Sequence, residues 1–353
     1  MSLIELRKKI DQLDEKIVAL LNQRAQVSVA IGQEKAKTQK GVYAPDREIK
    51  VLKKIRSLNH GPTKNEGLEA IYREIMSSSL SLEKNIQIAY MGPQASFSHL
   101  AAQRRFGSQV GYIACENIAD VFHTVESGDC DYGVVPIENS IEGAVNHTFD
   151  LFVDSDLKIC SQILLDVSHN LLARSGTADI KKIYSNPMVF GQCRNWLMAN
   201  YPHVELIEVV STTRAAQLAS KERNTACIAS LMAAQIYHLR VLHKDIEDRV
   251  YNITRFLVIA QTDVPPTGQD RTSILFSIKD RMGALHDMLT PFYNNKINLT
   301  KIESRPSKKK AWDYYFFVDF EGHREDQHIK RALAKLEDMC KYLKILGSYP
   351  VSE

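Results

Sequence analysis

The sequence predicts a three-part globular chain: an all-α segment, a two-lobed α/β segment and a terminal α+β segment of ferredoxin-like order. Three observations carry this. An apolar stripe with alternating steps of four and three runs through the first 37 residues, strands and helices alternate from Ile86 to Ala260, and a βαββαβ order follows a Pro-rich linker. The boundaries read as 1–84, 86–263 and 271–351.

The first helix is expected over Leu3–Lys37, with Leu6, Ile10, Leu13, Ile17 and Leu20 on one seam. The next slot on that seam is Arg24, and the stripe resumes at Val27 and Ile31. Lys35 follows three turns later on nearly the same face, about 16 Å along the axis. An unpaired charge facing a core costs several kcal/mol, roughly, so both cations need anionic partners. The stripe itself supplies none, which leaves a small polyanionic ligand or an ion pair with another helix.

A second helix starts near Pro45, a favoured first-turn residue, and stops before Asn59-His60-Gly61-Pro62. A third covers Asn65–Glu83, with Leu68, Ile71, Tyr72, Ile75 and Leu82 on one face. Ser77-Ser78-Ser79 reads as the end of that helix rather than a linker, because Ser79 and Glu83 fall on its apolar face. Two short helices cannot cover the long stripe of the first, which predicts an intertwined homodimer.

The α/β segment opens on strand Ile86–Tyr90. Further strands are expected at Gly111–Cys115, Tyr132–Pro136, Ile183–Ser185, Val204–Val210, Ala226–Ile228 and Phe256–Ala260, in the manner of parallel units. Asn117 with Asp120 three residues on marks a helix start. The return of the chain in the last strand suggests two lobes around a cleft, with ligands at strand ends and helix N-termini.

Val264-Pro265-Pro266-Thr267-Gly268 is the clearest linker. Beyond it come strand Ser273–Ile278, helix Gly283–Tyr293, strands Asn298–Ser304 and Trp312–Phe320, helix Asp326–Cys340 and strand Leu343–Gly347. Lys308-Lys309-Lys310 reads as a solvated hairpin tip.

Composition sets further limits. The 353 residues are 44% hydrophobic and 25% charged, enough to bury several cores. A net charge of +3 is too small to argue for nucleic acid. Residues 1–84 hold 16 Lys/Arg against 11 Asp/Glu, so the surplus cation sits where the odd stripe is. Six scattered cysteines without CxxC spacing, and histidines without HExxH pairing, predict reduced thiols of a cytoplasmic protein and no metal. The opening residues turn charged at once and no apolar run approaches a span, so neither a secretory leader nor a membrane helix is expected.

Five motifs stand in a telling order: Leu6-Arg7-Lys8-Lys9-Ile10-Asp11 with Leu13-Asp14, Asp46-Arg47-Glu48, Gly133 to Ser140 reading GVVPIENS, Thr254-Arg255-Phe256, and Glu303-Ser304-Arg305-Pro306. Together they make the chain resemble the bifunctional chorismate mutase–prephenate dehydratase family along essentially its whole length. The resemblance implies a helical mutase domain, a dehydratase domain like type II periplasmic binding proteins, and a regulatory ACT domain. It implies no cofactor, the substrates chorismate and prephenate, and phenylalanine as feedback effector.

For the mutase, the resemblance implies Arg24 and Arg47 on the substrate carboxylates and Lys35 on the ether oxygen. Glu48 would accept from the substrate hydroxyl, Ser79 would line the pocket, and Arg7 would enter from the other subunit. Two departures stand out. Ala44 occupies a position where the family often has Asp, so Asp46 supplies that contact or it is missing. Glu83 stands where some members have Gln; only a protonated carboxyl can donate to an ether oxygen, so mutase activity is expected to weaken as pH rises.

For the dehydratase, it implies Thr254 as donor toward the leaving hydroxyl and Phe256 as pocket wall. Arg255 would be a carboxylate anchor or a structural ion pair. Glu138, Asn139 and Ser140 would face the same cleft, and Gln192, Thr212 and Thr213 are weaker candidates. Ala95 and Ser96 replace the usual Gly and Thr of the opening loop, which leaves Ala95 less free to take positive φ. In the third domain, Gly283, Ala284 and Leu285 open a helix whose amides could hold the effector carboxylate, flanked by Glu303, Ser304 and Arg305. The competing readings are a dehydratase with an inactive mutase domain, and a non-catalytic amino-acid sensor.

Overall fold

A computed structural model describes residues 1–37, 44–174, 180–249, 251–278, 281–307 and 314–351. The chain divides into two compact units, residues 1–88 with 103–112, and residues 89–102 with 113–353.

The first unit is helical: α1 (Leu3–Lys37), α2 (Pro45–Leu58) and α3 (Asn65–Glu83). All three run as the sequence predicts. Pro45 pre-sets the first turn of α2, and Asp46 and Glu48 complement its dipole. Gly32 lets α1 approach α3 closely: a Cβ there would meet the Glu83 Cα at 3.0 Å. On α3, Ser79 is buried and Glu83 half-buried, as their place on its apolar face predicts, while Ile71 and Leu82 on the expected face are exposed in the single chain. The seam of α1 stays open in the single chain, with Leu6, Ile10, Leu13, Ile17 and Leu20 between 44% and 63% exposed.

Along the chain follow β1 (Gln87–Met91), α4 (Phe97–Phe106), β2 (Gly111–Cys115), α5 (Ile118–Glu126), β3 (Tyr132–Asn139), β4 (Gly143–Ala144), α6 (Asn146–Asp154) and β5 (Lys158–Asp166), of which residues 87–88 and 103–112 belong to the first unit. A second lobe follows: β6 (Asn170–Ala173), β7 (Lys182–Ser185), α7 (Pro187–Gln192), α8 (Arg194–Asn200), β8 (Glu205–Glu208), α9 (Thr212–Lys221), β9 (Thr225–Ala229), α10 (Leu231–Ile236) and β10 (Arg240–His243). Strand β11 (Ile253–Ala260) then returns to the first lobe. The sheets are ordered β2-β1-β3-β11-β5 and β10-β6-β9-β7-β8.

These sheets are mixed rather than parallel throughout. β7 is parallel to β8 and β9, but β11 is antiparallel to both β3 and β5, and β6 is antiparallel to β9 and β10. The sequence reading left out β4, β5, β6 and β10. β5 and β6 are buried almost continuously, so they lack the alternation that marks a half-exposed strand.

The last part comprises β12 (Asp270–Ser277), α11 (Ala284–Asn294), β13 (Leu299–Pro306), β14 (Tyr314–Glu321), α12 (Gln327–Met339) and β15 (Tyr342–Pro350). Its sheet order, β13-β14-β12-β15 with antiparallel neighbours, is the expected ferredoxin-like one. Leu275, Phe317, Leu346 and Tyr349 share one core with Phe149, Phe152 and Ile159, so this sheet packs on the first lobe. Lys308, Lys309, Lys310 and Trp312 lie outside the described residues.

Candidate active sites

In the helical unit, α1, α2 and α3 enclose a cavity of about 420 Å³. Arg24, Lys35, Arg47, Glu48, Ser79 and Glu83 all line it, as do Ala44, Arg73 and Arg105. Five cationic side chains therefore face two carboxylates. Arg24 donates to the Ser79 hydroxyl and to the Ile75 carbonyl at 3.5 Å, and Ser79 in turn donates to Ile75 at 2.9 Å. Among the described residues no carboxylate pairs with Arg24 or Arg47. Lys35 differs, because its Nζ lies 3.0 Å from Glu83 Oε2. The two cations of the stripe thus divide: Lys35 meets a carboxylate of another helix, whereas Arg24 meets only the hydroxyl of Ser79 and the carbonyl of Ile75 among the described residues. Glu48 Oε2 is buried and accepts no hydrogen bond from a described residue, although Arg105 Nη2 is 3.1 Å away.

Asp46 does not take over from Ala44. It pairs with Lys50 on its own helix at 3.6 Å and does not line the cavity. Arg7 is exposed and also absent from the lining. It precedes Arg24 by 17 positions, about 25 Å along the axis, too far for this chain's own cavity.

In the second unit, Thr254 and Asn139 are paired across β11 and β3. Asn139 Nδ2 donates to Thr254 Oγ1 and to Asn252 Oδ1, each at 2.8 Å. Asn139 Oδ1 is fixed in turn by the amides of Ile141 and Glu142. Because Thr254 Oγ1 accepts here, its own proton is directed away from Asn139 Nδ2. The network continues: Asn252 donates to Gln192 Oε1 at 3.2 Å, and Gln192 Nε2 donates to Glu142 at 3.1 Å. His169 Nε2 lies 2.7 Å from the same Gln192 oxygen, so it is the donor and its Nδ1 is bare, without a described partner. Burial lowers the His169 pKa, opposed by Gln192 and Glu247.

Asn252, Glu142 and His169 were missed from sequence. Counting back two residues from Thr254 along a strand reaches Asn252, so the period-two rule could have found it.

The same alternation corrects two candidates. Arg255 and Glu138 are paired on the opposite face from Thr254 and Asn139. Arg255 is buried and donates to Gln162 at 3.0 Å, Asp319 at 2.7 Å and Tyr349 at 2.9 Å. Burial works against the cation, but Tyr349 and Asp319 outweigh it and hold its pKa above the ordinary value. Glu138 pairs with Lys301 at 2.9 Å. Arg255 is therefore the structural ion pair, not a carboxylate anchor, and Glu138 faces the third domain. Ser140 spends its hydroxyl on backbone, donating to Tyr251 and accepting from Ile253. Phe256 is fully buried. Ser211, not Thr212, caps α9, and Thr213 Oγ1 is buried without a described partner.

Ala95 takes the conformation that its side chain resists. Its φ is +73°, at a cost of roughly 1–2 kcal/mol. His99 Nδ1 accepts its amide at 3.2 Å and Ser230 donates to its carbonyl at 3.3 Å, which hold the strained turn. Burial lowers the His99 pKa, consistent with a neutral acceptor nitrogen.

In the third domain, Gly283 has φ +74° and precedes Ala284 and Leu285 at the start of α11. Glu303, Ser304 and Arg305 lie on the edge strand β13. Arg305 pairs with Asp150 at 3.3 Å, and Glu303 is 4.0 Å from Lys301.

Three family models match in this order: chorismate mutase type II over residues 6–84, prephenate dehydratase over 88–264 and ACT domain over 272–338. A bifunctional chorismate mutase/prephenate dehydratase of Aquifex aeolicus is 50% identical over 351 residues, covering 98% of this chain and 97% of that protein. The structure of prephenate dehydratase from Arthrobacter aurescens in complex with L-Phe has TM-score 0.70 and 31% identity, covering 75% of this chain and 90% of that one. GqqA, described as a quorum quenching acylase, also has TM-score 0.70, at 27% identity, covering 75% of this chain and 98% of its own. With mutase, dehydratase and ACT matches in this order, and a relative half identical along its full length, the chain belongs to the bifunctional chorismate mutase/prephenate dehydratase family.

Proposed function

We propose that this chain rearranges chorismate to prephenate in its helical unit and converts prephenate to phenylpyruvate in its α/β domain. The observation that carries the reading is the cavity whose Arg24 and Arg47 have no carboxylate among the described residues, a surplus that a dicarboxylate offsets. The rearrangement is pericyclic and needs no nucleophile. Arg24 and Arg47 hold the two carboxylates in the folded conformer, Lys35 donates to the breaking ether bond, and Glu48 accepts from the ring hydroxyl. In the second reaction the ring loses hydroxide and carbon dioxide and becomes aromatic. Thr254 donates toward the departing hydroxide, kept in orientation by Asn139. No cofactor enters either step of this reading.

The domains of this reading are 1–84, 86–263 and 271–351. Its working form is a homodimer: the open seam of α1 and the distance from Arg7 to Arg24 both support a second copy that supplies Arg7. Phenylalanine is the effector, held near Gly283–Leu285 and Glu303–Arg305, and it acts by binding one arrangement of the dimer more tightly. Six free thiols, five of them buried, support a reducing, cytoplasmic setting. No helix among the described residues is long and apolar enough to cross a membrane.

Purified protein supplied with chorismate tests the reading. Prephenate followed by phenylpyruvate is the expected result. Phenylpyruvate from added prephenate only would leave the mutase domain inactive, and neither product would leave a ligand sensor.

A further inference from the structure

The mutase family match ends at residue 84, yet two residues from beyond it, Arg105 and Phe106, line the cavity among α1, α2 and α3. They belong to the stretch 103–112, which packs within the helical unit. That stretch is fastened to α3 in several ways. Ser108 donates from its amide and its hydroxyl to Glu74, at 3.1 and 2.6 Å, and the Gln109 amide donates to Ser77 at 3.0 Å. Gly107 makes the fit possible: its φ is +74° and a Cβ there would meet the Ser77 Cβ at 2.5 Å. Phe106 is 1% exposed and fills the wall. Arg105 then projects to Glu48, Nη2 to Oε2 at 3.1 Å, with both side chains largely buried.

We propose that Arg105 is a positioning residue of the mutase site, fixing the Glu48 carboxylate for the substrate hydroxyl and adding positive charge to the wall that receives the dianion. The inference rests on the mutase reading above. Its physical basis is charge balance. Glu48 faces a ligand that itself carries two negative charges, and Arg105 offsets that like-charge contact. The guanidinium approaches Oε2 without an aligned hydrogen bond, so the oxygen keeps its capacity to accept one. A consequence is that the catalytic cavity is complete only when chain beyond residue 84 is present.

The full-length protein is the material for the test, with Arg105→Met, Arg105→Lys, Glu48→Gln and the double variant Arg105→Met/Glu48→Gln. Arg105→Met is expected to lower mutase kcat/KM by about tenfold or more, the usual cost of losing a charge-assisted contact. Arg105→Lys should restore part of the loss. The double variant should be little worse than Glu48→Gln alone, because Arg105 acts through Glu48. Dehydratase kcat/KM with added prephenate, measured on the same preparations, should stay at the wild-type value and reports that the chain is folded. Unchanged mutase kinetics in Arg105→Met, or losses that multiply in the double variant, would overturn the proposal while leaving the mutase reading intact. A wild-type protein that does not turn over chorismate would overturn both. Should Arg105→Met lose both activities together, Arg105→Lys decides: equal loss of both activities there as well makes Arg105 structural and ends the proposal.

Discussion

The cavity of the helical unit and the Thr254 cluster of the α/β domain stabilise charge in opposite ways. The first gathers Arg24, Lys35, Arg47, Arg73 and Arg105 around a space with only Glu48 and Glu83 in reply. The second is a chain of neutral groups, Thr254, Asn139, Asn252, Gln192 and His169, joined by hydrogen bonds and ending on the Glu142 carboxylate. Its nearest guanidinium by sequence, Arg255, is turned to the other face and tied to Asp319. The difference follows from the chemistry proposed for each. A rearranging dianion keeps both carboxylates, so cations can hold it throughout. A carboxylate that must leave as carbon dioxide would be held back by a strong cation, whereas a departing hydroxide is helped by one oriented donor.

Substitutions that remove a charge should cripple one site and spare the other. Arg24→Ala should cost mutase kcat/KM about a hundredfold to a thousandfold with dehydratase kinetics unchanged, since it removes a preorganised donor to developing charge. Conversely, Thr254→Val preserves shape and deletes the hydroxyl, and dehydratase kcat should drop about a hundredfold while Thr254→Ser stays active. If Arg24→Ala impaired both reactions equally, the division of labour would be wrong. Asn252→Ala tests whether the neutral chain acts as a unit: a loss of about tenfold in dehydratase kcat is expected from breaking one link.

Two smaller effects concern Glu83 and the buried histidines. Glu83 is ion-paired with Lys35 at 3.0 Å, so Glu83→Gln should weaken that pair and change mutase kcat/KM by about tenfold while dehydratase kinetics stay at the wild-type value. Unchanged mutase kinetics in Glu83→Gln would remove Glu83 from the reaction. His99 and His169 both have folded-state pKa values below the ordinary 6.5 because of burial. The unfolded chain therefore takes up protons first as pH falls below 6.5, and the stability that these rings contribute is full above that value and lost beneath it. Thermal unfolding followed from neutral to mildly acid pH should show a declining midpoint, less steep in His169→Gln.

Much of this was legible in the sequence, for reasons that differ by region. The helices of the first unit announce their ends through Pro45 and the Asn59–Pro62 break, and the charge at Arg24 interrupts an otherwise regular seam. Arg105 was not legible, because its spatial neighbour Glu48 lies on a different element and no local pattern links them. In the α/β domain the motif around Thr254 named the right strand but not which face each residue takes. Reading Thr254-Arg255 as one motif left Arg255 open between a carboxylate anchor and a structural ion pair, and alternation separates the two residues. β5 and β6 escaped notice because strands buried on both faces carry no polar beat.

The opposed faces of β11 also set what this strand can tolerate. Side chains alternate every residue, so one inserted or deleted position ahead of Thr254 would exchange the hydroxyl and the guanidinium. A cation would take the place of Thr254 beside Asn139, and Asp319 would be stranded in the core. Point substitutions here can be graded in effect, but a change in strand length is all or nothing.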